Sequence, residues 1–247
     1  MDQQQNLDRI EIVLVGTQDG ANIGSCCRAM KTMGLTRLSL VTEREYAENR
    51  VRALAIHASD LWENRNTYPT LGEALKGCVL SVAATRRHGK FRKATCVTPE
   101  QLADQISALG EGRVSIVFGR ESDGLTDDEV NECAEVVTIP SSEKFPSLNL
   151  SQAVQVITYT LFSHIKPSPT GIVPVTQQRV TSATERVIAA MEAMQYFKLE
   201  DERRWTEQFI HDIFERAQMS ELEMQKMEKV FMKMSTIARF KEAKESS

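Results

Sequence analysis

Short apolar, β-rich runs alternate with helical stretches from the start of the chain to about residue 165, and this alternation constrains the fold more than any other feature. Glu11–Val15 (EIVLV), Arg37–Val41 (RLSLV), Cys78–Ala84 (CVLSVAA), Arg113–Phe118 (RVSIVF) and Val136–Ile139 (VVTI) read as strands. Between them Asn22–Met33, Leu71–Lys76, Pro99–Leu109 and Thr126–Cys133 read as helices, and Asn149–Ile165 as a longer apolar one. Strands separated by helices pair in parallel through right-handed crossovers, which predicts an α/β fold: a parallel sheet with helices on both faces.

The pattern changes at Lys166–Gln178 (KPSPTGIVPVTQQ), where three of the seven prolines and a glycine interrupt any helix. Val180–Phe197 and Arg203–Lys241 beyond it contain neither Pro nor Gly. Met227, Val230, Phe231, Met234, Ile237 and Ala238 recur there at steps of three and four, an apolar helical face suited to packing on a neighbouring helix or another subunit. The expected organisation is an α/β domain over 1–165, a Pro-rich linker over 166–178 and a small helical extension over 179–247.

Composition narrows the function classes. Thirty Lys and Arg against 34 Asp and Glu leave a net charge of −4, so no bulk positive field marks a nucleic-acid partner. The polar start Met1–Arg9 lacks the apolar core of a secretory signal, and no apolar run approaches a membrane span. Five cysteines without a C-x-x-C pair and four scattered histidines predict reduced thiols, a cytoplasmic protein and no metal site.

Ligands of α/β sheets bind beyond the carboxyl ends of strands, and four such loops are unusual here. Gly16–Gly24 (GTQDGANIG) follows the first strand; its glycines stand four apart, which is neither a dinucleotide nor a phosphate-loop spacing. Asn22 is placed to cap the helix that carries Arg28. Ala84–Lys93 (ATRRHGKFRK) concentrates Arg86, Arg87, Lys90, Arg92 and Lys93 around Phe91 with no acid, which suits a polyanionic, partly unstacked partner. Phe118–Leu125 (FGRESDGL) offers Gly119, Gly124 and Glu121. Ile139–Leu150 (IPSSEKFPSLNL) holds Pro140 and Pro146 in an extended approach to a helix start at Ser147–Asn149. Spacing alone goes no further than a polar, glycine-containing ligand site and one basic loop.

Three of these segments together resemble the signature motifs of the SPOUT (SpoU/TrmH-like) RNA 2′-O-ribose methyltransferases. NIGSCCRAMKTMG (Asn22–Gly34) is similar to their first motif, FGRESDGL to the second, and IPSSEKFPSLNLSQA (Ile139–Ala153) to the third. RAMKTMGLTRLSLV, the ATRR stretch and the helical extension extend the likeness to the TrmJ-like group, which acts on pyrimidine 32 of the tRNA anticodon loop. Cys26 and Cys27 in place of smaller residues, Ala83–Ala84 in place of a glycine-containing stretch, and His57 are departures that remove no functional group.

The resemblance implies a deep trefoil knot in the C-terminal part of the sheet domain, a homodimer, a tRNA substrate and S-adenosylmethionine as cofactor. It implies a cofactor pocket of Ala84, Thr85, Arg86, Gly119, Ile139, Pro146, Ser147 and Leu148. It places Arg28 at the ribose hydroxyl, Asn22 and Glu121 bracing Arg28 and the substrate, and Ser147 and Asn149 ordering the cofactor loop. RNA would meet Arg87, Lys90, Arg92 and Lys93. A sibling acting on another tRNA or rRNA nucleotide, a non-catalytic RNA-binding protein of the same fold, and an unrelated α/β nucleotide-binding enzyme are the alternatives.

Overall fold

The computed structural model describes residues 2–86, 96–167 and 172–245, with no side chain described at 200 or from 240 onward. The chain divides into two compact units, Met1–Gly171 and Ile172–Ser247, the division falling inside the Pro-rich stretch.

The first unit is a parallel sheet of seven strands: β1 (Ile10–Val15), β2 (Arg37–Val41), β3 (Asn66–Tyr68), β4 (Cys78–Ala84), β5 (Cys96–Val97), β6 (Arg113–Phe118) and β7 (Glu135–Val137). Their order across the sheet is β3-β2-β1-β6-β4-β7-β5. Thus β6 inserts between β1 and β4, pairing Leu14 with Phe118 on one side and Ala84 with Phe118 on the other. Helices α1 (Gln3–Asp8), α2 (Gly20–Thr32), α3 (Glu48–Ala55), α4 (Ser59–Glu63), α5 (Leu71–Leu75), α6 (Pro99–Ala108), α7 (Asp127–Asn131) and α8 (Leu150–His164) connect and cover the strands.

Both faces of the sheet are buried, as a parallel sheet requires. Ile12 and Leu14 of β1 join one core with Ile23 and Met30 of α2, Leu102 and Ile106 of α6, and Val154, Ile157 and Leu161 of α8. Val13 and Val15 point the other way, into a second core with Leu71 and Leu75 of α5 and Val130 of α7. Glu11, fully buried on the same strand, accepts hydrogen bonds from Ser39 Oγ (2.6 Å) and Ser115 Oγ (3.1 Å) and pairs with Arg113 at 3.2 Å. That network satisfies a carboxylate which would otherwise be prohibitively costly inside a sheet.

Several boundaries differ from the sequence reading for identifiable reasons. Helix α2 begins at Gly20 rather than Asn22, because Asp19 is the cap: its carboxylate accepts from the Ala21 N–H at 2.9 Å. Asn22 lies inside the helix and is released for another role. Strand β7 stops at Val137 rather than Ile139: the Thr138 N–H to Val97 O bond is its last to β5, which ends at Val97 where Thr98 caps α6. Helices α1, α3 and α4 and strands β3 and β5 are additional.

The second unit contains three helices among the described residues: α9 (Gln177–Glu192), α10 (Glu200–Ala217) and α11 (Glu221–Glu245). Its first helix starts three residues earlier than the Pro- and Gly-free run, capped by Thr176, whose Oγ1 accepts from the Arg179 N–H. Val180, Val187, Ile188, Met191, Phe214 and Met224 are among the residues of its core. Arg179 reaches both Glu221 and Glu228 of α11, tying the last helix to the first.

Candidate active site

Three loops meet at the carboxyl ends of β4, β6 and β7, beside the point where the strand order reverses direction around β6. They enclose a cleft of about 870 Å³, counting the space open to solvent. All eight residues expected at a cofactor, Ala84, Thr85, Arg86, Gly119, Ile139, Pro146, Ser147 and Leu148, line it. Phe118, Arg120, Ser122, Asp123, Gly124, Val137, Leu150 and Ala153 line it as well, and of the expected polar groups so does Glu121. The additional ones come from the same two loops and from the first turns of α8, so only their individual inward placement was hidden in the sequence.

The floor is held by the sheet. The Thr85 N–H donates to Val137 O at 3.1 Å, and Thr138 Oγ1 donates to Thr85 O at 2.6 Å, locking the ends of β4 and β7 together. One wall is a tight turn in which Arg120 N donates to Gly124 O (3.2 Å) and Gly124 N to Arg120 O (2.9 Å). Gly119 passes beneath that turn so closely that a Cβ there would lie 2.1 Å from the Gly124 carbonyl carbon. Gly124 closes the turn with φ +71°, a left-handed conformation that glycine adopts without strain. Arg120 does not face the ligand as a free cation: it makes a bidentate pair with Glu129, both bonds 2.9 Å.

A chain of hydrogen bonds joins the three motif loops. Glu121 accepts from the Gln18 N–H at 2.9 Å, the Asp19 N–H at 3.4 Å and Asn22 Nδ2 at 2.8 Å. Asn22 Oδ1 in turn accepts from Asn149 Nδ2 at 3.2 Å. Asn149 also caps α8, its Oδ1 accepting from the Ser151 N–H while Gln152 reaches back to the Asn149 N–H. Displacing the cap of α2 from Asn22 to Asp19 is what frees Asn22 for this bridge. Arg50 pairs with Asp19 and holds that carboxyl well below the usual carboxylate range, so the cap stays ionised at the positive end of α2.

Asn22 and Glu121 therefore brace each other and the Gly16–Gly24 loop, not Arg28. Arg28 is exposed on α2 and makes no hydrogen bond or ion pair to any described residue; it does not line the cleft of its own chain. Ser147 is exposed on the rim, in a loop tightened by the Ser141 Oγ bond to Pro146 O. Arg87, Lys90, Arg92 and Lys93 lie outside the described residues. Burial pushes the Cys27 thiol up to about 12 and the Cys26 thiol well above its ordinary value, so neither is a nucleophile.

The cleft suits a nucleoside-like ligand: Val137, Ile139, Leu148, Leu150 and Ala153 offer an apolar bed, and Arg86, Glu121 and Asp123 place charge of both signs along its lining. Among the described residues one group, His211, Asp212 and Glu215 on α10, brings possible metal-ligating atoms within 4.8 Å of one another. Glu215 there already accepts from Gln177 Nε2 at 3.0 Å. No helix among the described residues is long and apolar enough to cross a membrane.

Residues 9–159 match the sequence model of the SpoU rRNA Methylase family. A curated Cronobacter sakazakii protein named tRNA (cytidine/uridine-2′-O-)-methyltransferase TrmJ is 43% identical over 153 residues, spanning 62% of this chain and 62% of its own length. A Methanocaldococcus jannaschii protein named tRNA (cytidine-2′-O-)-methyltransferase TrmJ is 36% identical over 156 residues, spanning 62% of this chain and 67% of its own. The aligned region thus spans about two thirds or less of these relatives. The crystal structure of TrmJ from Z. mobilis ZM4 superposes with a TM-score of 0.75 at 27% identity, covering 91% of this chain and 98% of that one.

Proposed function

We infer the function from one premise: this chain belongs to the SpoU rRNA Methylase family. Our proposal is a tRNA (cytidine(32)/uridine(32)-2′-O)-methyltransferase, which methylates the ribose 2′-hydroxyl of pyrimidine 32 in the anticodon loop. The observation that carries it is the cleft formed by the second and third motif loops, to which the first motif is tied through the hydrogen bonds of Asn22 with Glu121 and Asn149.

S-adenosylmethionine supplies the methyl group as the substituent of a sulfonium, a good leaving group, so the protein's task is chiefly to position and to manage one proton. The apolar bed and the Gly119 approach hold the cofactor; Ser147 and Leu148, kept in register by the Asn149 cap, close over it. Arg28 orients the 2′-hydroxyl and stabilises the oxygen's developing negative charge; a guanidinium with a pKa above ~12 is a poor literal base. Arg28 does this from a second subunit. Its absence from the lining of its own chain's cleft supports that arrangement, as do the exposed Val156, Tyr159 and Phe162 of α8 and the exposed Phe145 and Leu148, apolar groups suited to a homodimer contact. A deep trefoil knot is part of the same reading, supported by the insertion of β6 and β7 beside β4. The basic loop and the helical unit contact tRNA, and the setting is cytoplasmic.

The test is single-turnover methyl transfer to unmodified tRNA beside S-adenosylmethionine binding, in wild type and Arg28→Ala. Lost transfer with cofactor affinity kept within a few-fold supports a role for Arg28 at the hydroxyl. Lost affinity would move Arg28 into the cofactor site, and unchanged transfer would remove it from the chemistry. A Pseudomonas aeruginosa relative, 41% identical, is named for cytidine, uridine and adenosine. That breadth favours a second reading in which the nucleotide is selected by loop shape, with the same chemistry at another tRNA or rRNA position.

A further inference from the structure

The helical unit leaves two apolar ridges uncovered. On α10, Trp205, Phe209 and Ile213 follow one another at steps of four, about a third of a turn round from the buried Ile210 and Phe214, with Trp205 69% and Phe209 60% exposed. On α11, Met227, Val230, Met234 and Ile237 are spaced by three and four, all exposed, while Met224 alone of its apolar row is fully buried. Spacings of three and four place each set on one helical face. Uncovered apolar ridges on so small a unit mark a contact surface.

Charge says what covers them. Beside the α10 ridge run Asp201, Glu202 and Asp212; Arg204 next to Trp205 and Arg216 at the far end are exposed cations, and α10 holds six acids against three bases. Beside the α11 ridge, Lys226 and Lys233 alternate with Val230 and Ile237, with Lys229 adjacent. Glu228, the acid between them, is buried in its pair with Arg179. Acids outnumber bases beside the α10 ridge, and Lys226 and Lys233 flank the α11 ridge that runs from Met227 to Ile237. RNA would meet the carboxylates around Trp205 and Phe209, and an anionic surface would meet them too.

We propose that these ridges form a contact with a second copy of this chain, α10 of one copy lying on α11 of the other and reciprocally. The contact is self-complementary, as a two-fold interface must be, and it is separate from the α8 surface. It stands whether or not the methyl-transfer reading does.

The experiment uses the full chain in a Cys96→Ser background, since Cys96 is the exposed thiol among the described residues. Phe209→Cys chains are mixed with Met234→Cys chains, treated with a short bis-maleimide and weighed. The expected result is several-fold more mixed cross-linked dimer than from Phe209→Cys with Thr236→Cys, which lies off the ridge. Asp201→Lys with Asp212→Lys should reduce the yield, and Lys226→Asp with Lys233→Asp added on the other chain should restore it. Equal yields from both pairs overturn the proposal, as does charge reversal without effect. No mixed product, with Trp205 shielded from acrylamide only when tRNA is added, would overturn it in favour of RNA. No mixed product with Trp205 shielded in the protein alone at every concentration would overturn it in favour of the chain's own surface.

Discussion

Adding one methyl group at Gly119 should damage the cleft more than adding one at Gly124, although Gly124 has the unusual backbone. In Gly119→Ala the new Cβ would stand 2.1 Å from Gly124 C and 2.2 Å from Leu125 N, both backbone atoms with no rotamer to escape into. The turn must move by more than an ångström, which breaks the two hydrogen bonds between Arg120 and Gly124. Overpacking costs about 1–3 kcal/mol, and two backbone bonds add about 0.5–1.5 kcal/mol each, for a total of roughly 2–6 kcal/mol. At roughly 2–4 °C per kcal/mol the midpoint should fall by about 4–24 °C. In Gly124→Ala nothing lies within 4 Å of the added Cβ, so the cost is the left-handed conformation alone, roughly 1–2 kcal/mol. Differential scanning calorimetry and titration calorimetry with S-adenosylmethionine would be run on both variants. The expected order is a larger loss of midpoint and of cofactor affinity for Gly119→Ala. Equal midpoints, or unimpaired cofactor binding by Gly119→Ala, would refute the close-approach reasoning.

Three other outcomes follow from particular contacts. Burial raises the Glu135 carboxyl above its ordinary value, against the weaker pull of its bond from Gln105, and Glu135 Oε2 and Gln105 Oε1 are both buried without partners. Because the folded pKa exceeds the unfolded one, the proton's stabilisation is complete below the unfolded value and is lost as pH rises through the folded value. Glu135→Gln should therefore add about 1–3 kcal/mol at neutral pH and nothing in acid; urea melts at the two pH values check this, and an equal effect at both would sink it. Asn22→Ala removes the link between Glu121 and Asn149 and should lower methyl transfer while leaving the Asp19 cap and helix α2 intact by circular dichroism; unchanged transfer would make the bridge incidental. Replacing Arg87, Lys90 and Arg92 with Ala should weaken tRNA binding and flatten its log–log salt slope by about 2, taking ~0.7 per phosphate contact on a single strand. An unchanged slope would make that loop a bystander.

The sheet was legible where strands are long and buried on both faces. Cys78–Ala84 and Arg113–Phe118 are continuous apolar runs, and their bounds agree between sequence and structure. Asn66–Tyr68 and Cys96–Val97 escaped because two or three residues at a sheet edge carry no alternation and owe their pairing to β2 and β7. The short helices α3 and α4 carry too few apolar positions to show a period. At the site, the cleft residues were readable as motifs, since each occupies a loop at a strand's carboxyl end. The pairing of Asn22 with Glu121 was not, because a single sequence does not show that Asp19 outcompetes Asn22 for the cap. Nor does spacing show that Arg120 is consumed by Glu129, nine residues on, and so withheld from the ligand.

The central claim is tested most directly by methyl transfer from labelled S-adenosylmethionine to unmodified tRNA, followed by nuclease mapping of the labelled nucleotide. The expected product carries label in a 2′-O-methylated pyrimidine at position 32. Label on a base, or no transfer by a protein that binds the cofactor and the tRNA, would contradict it.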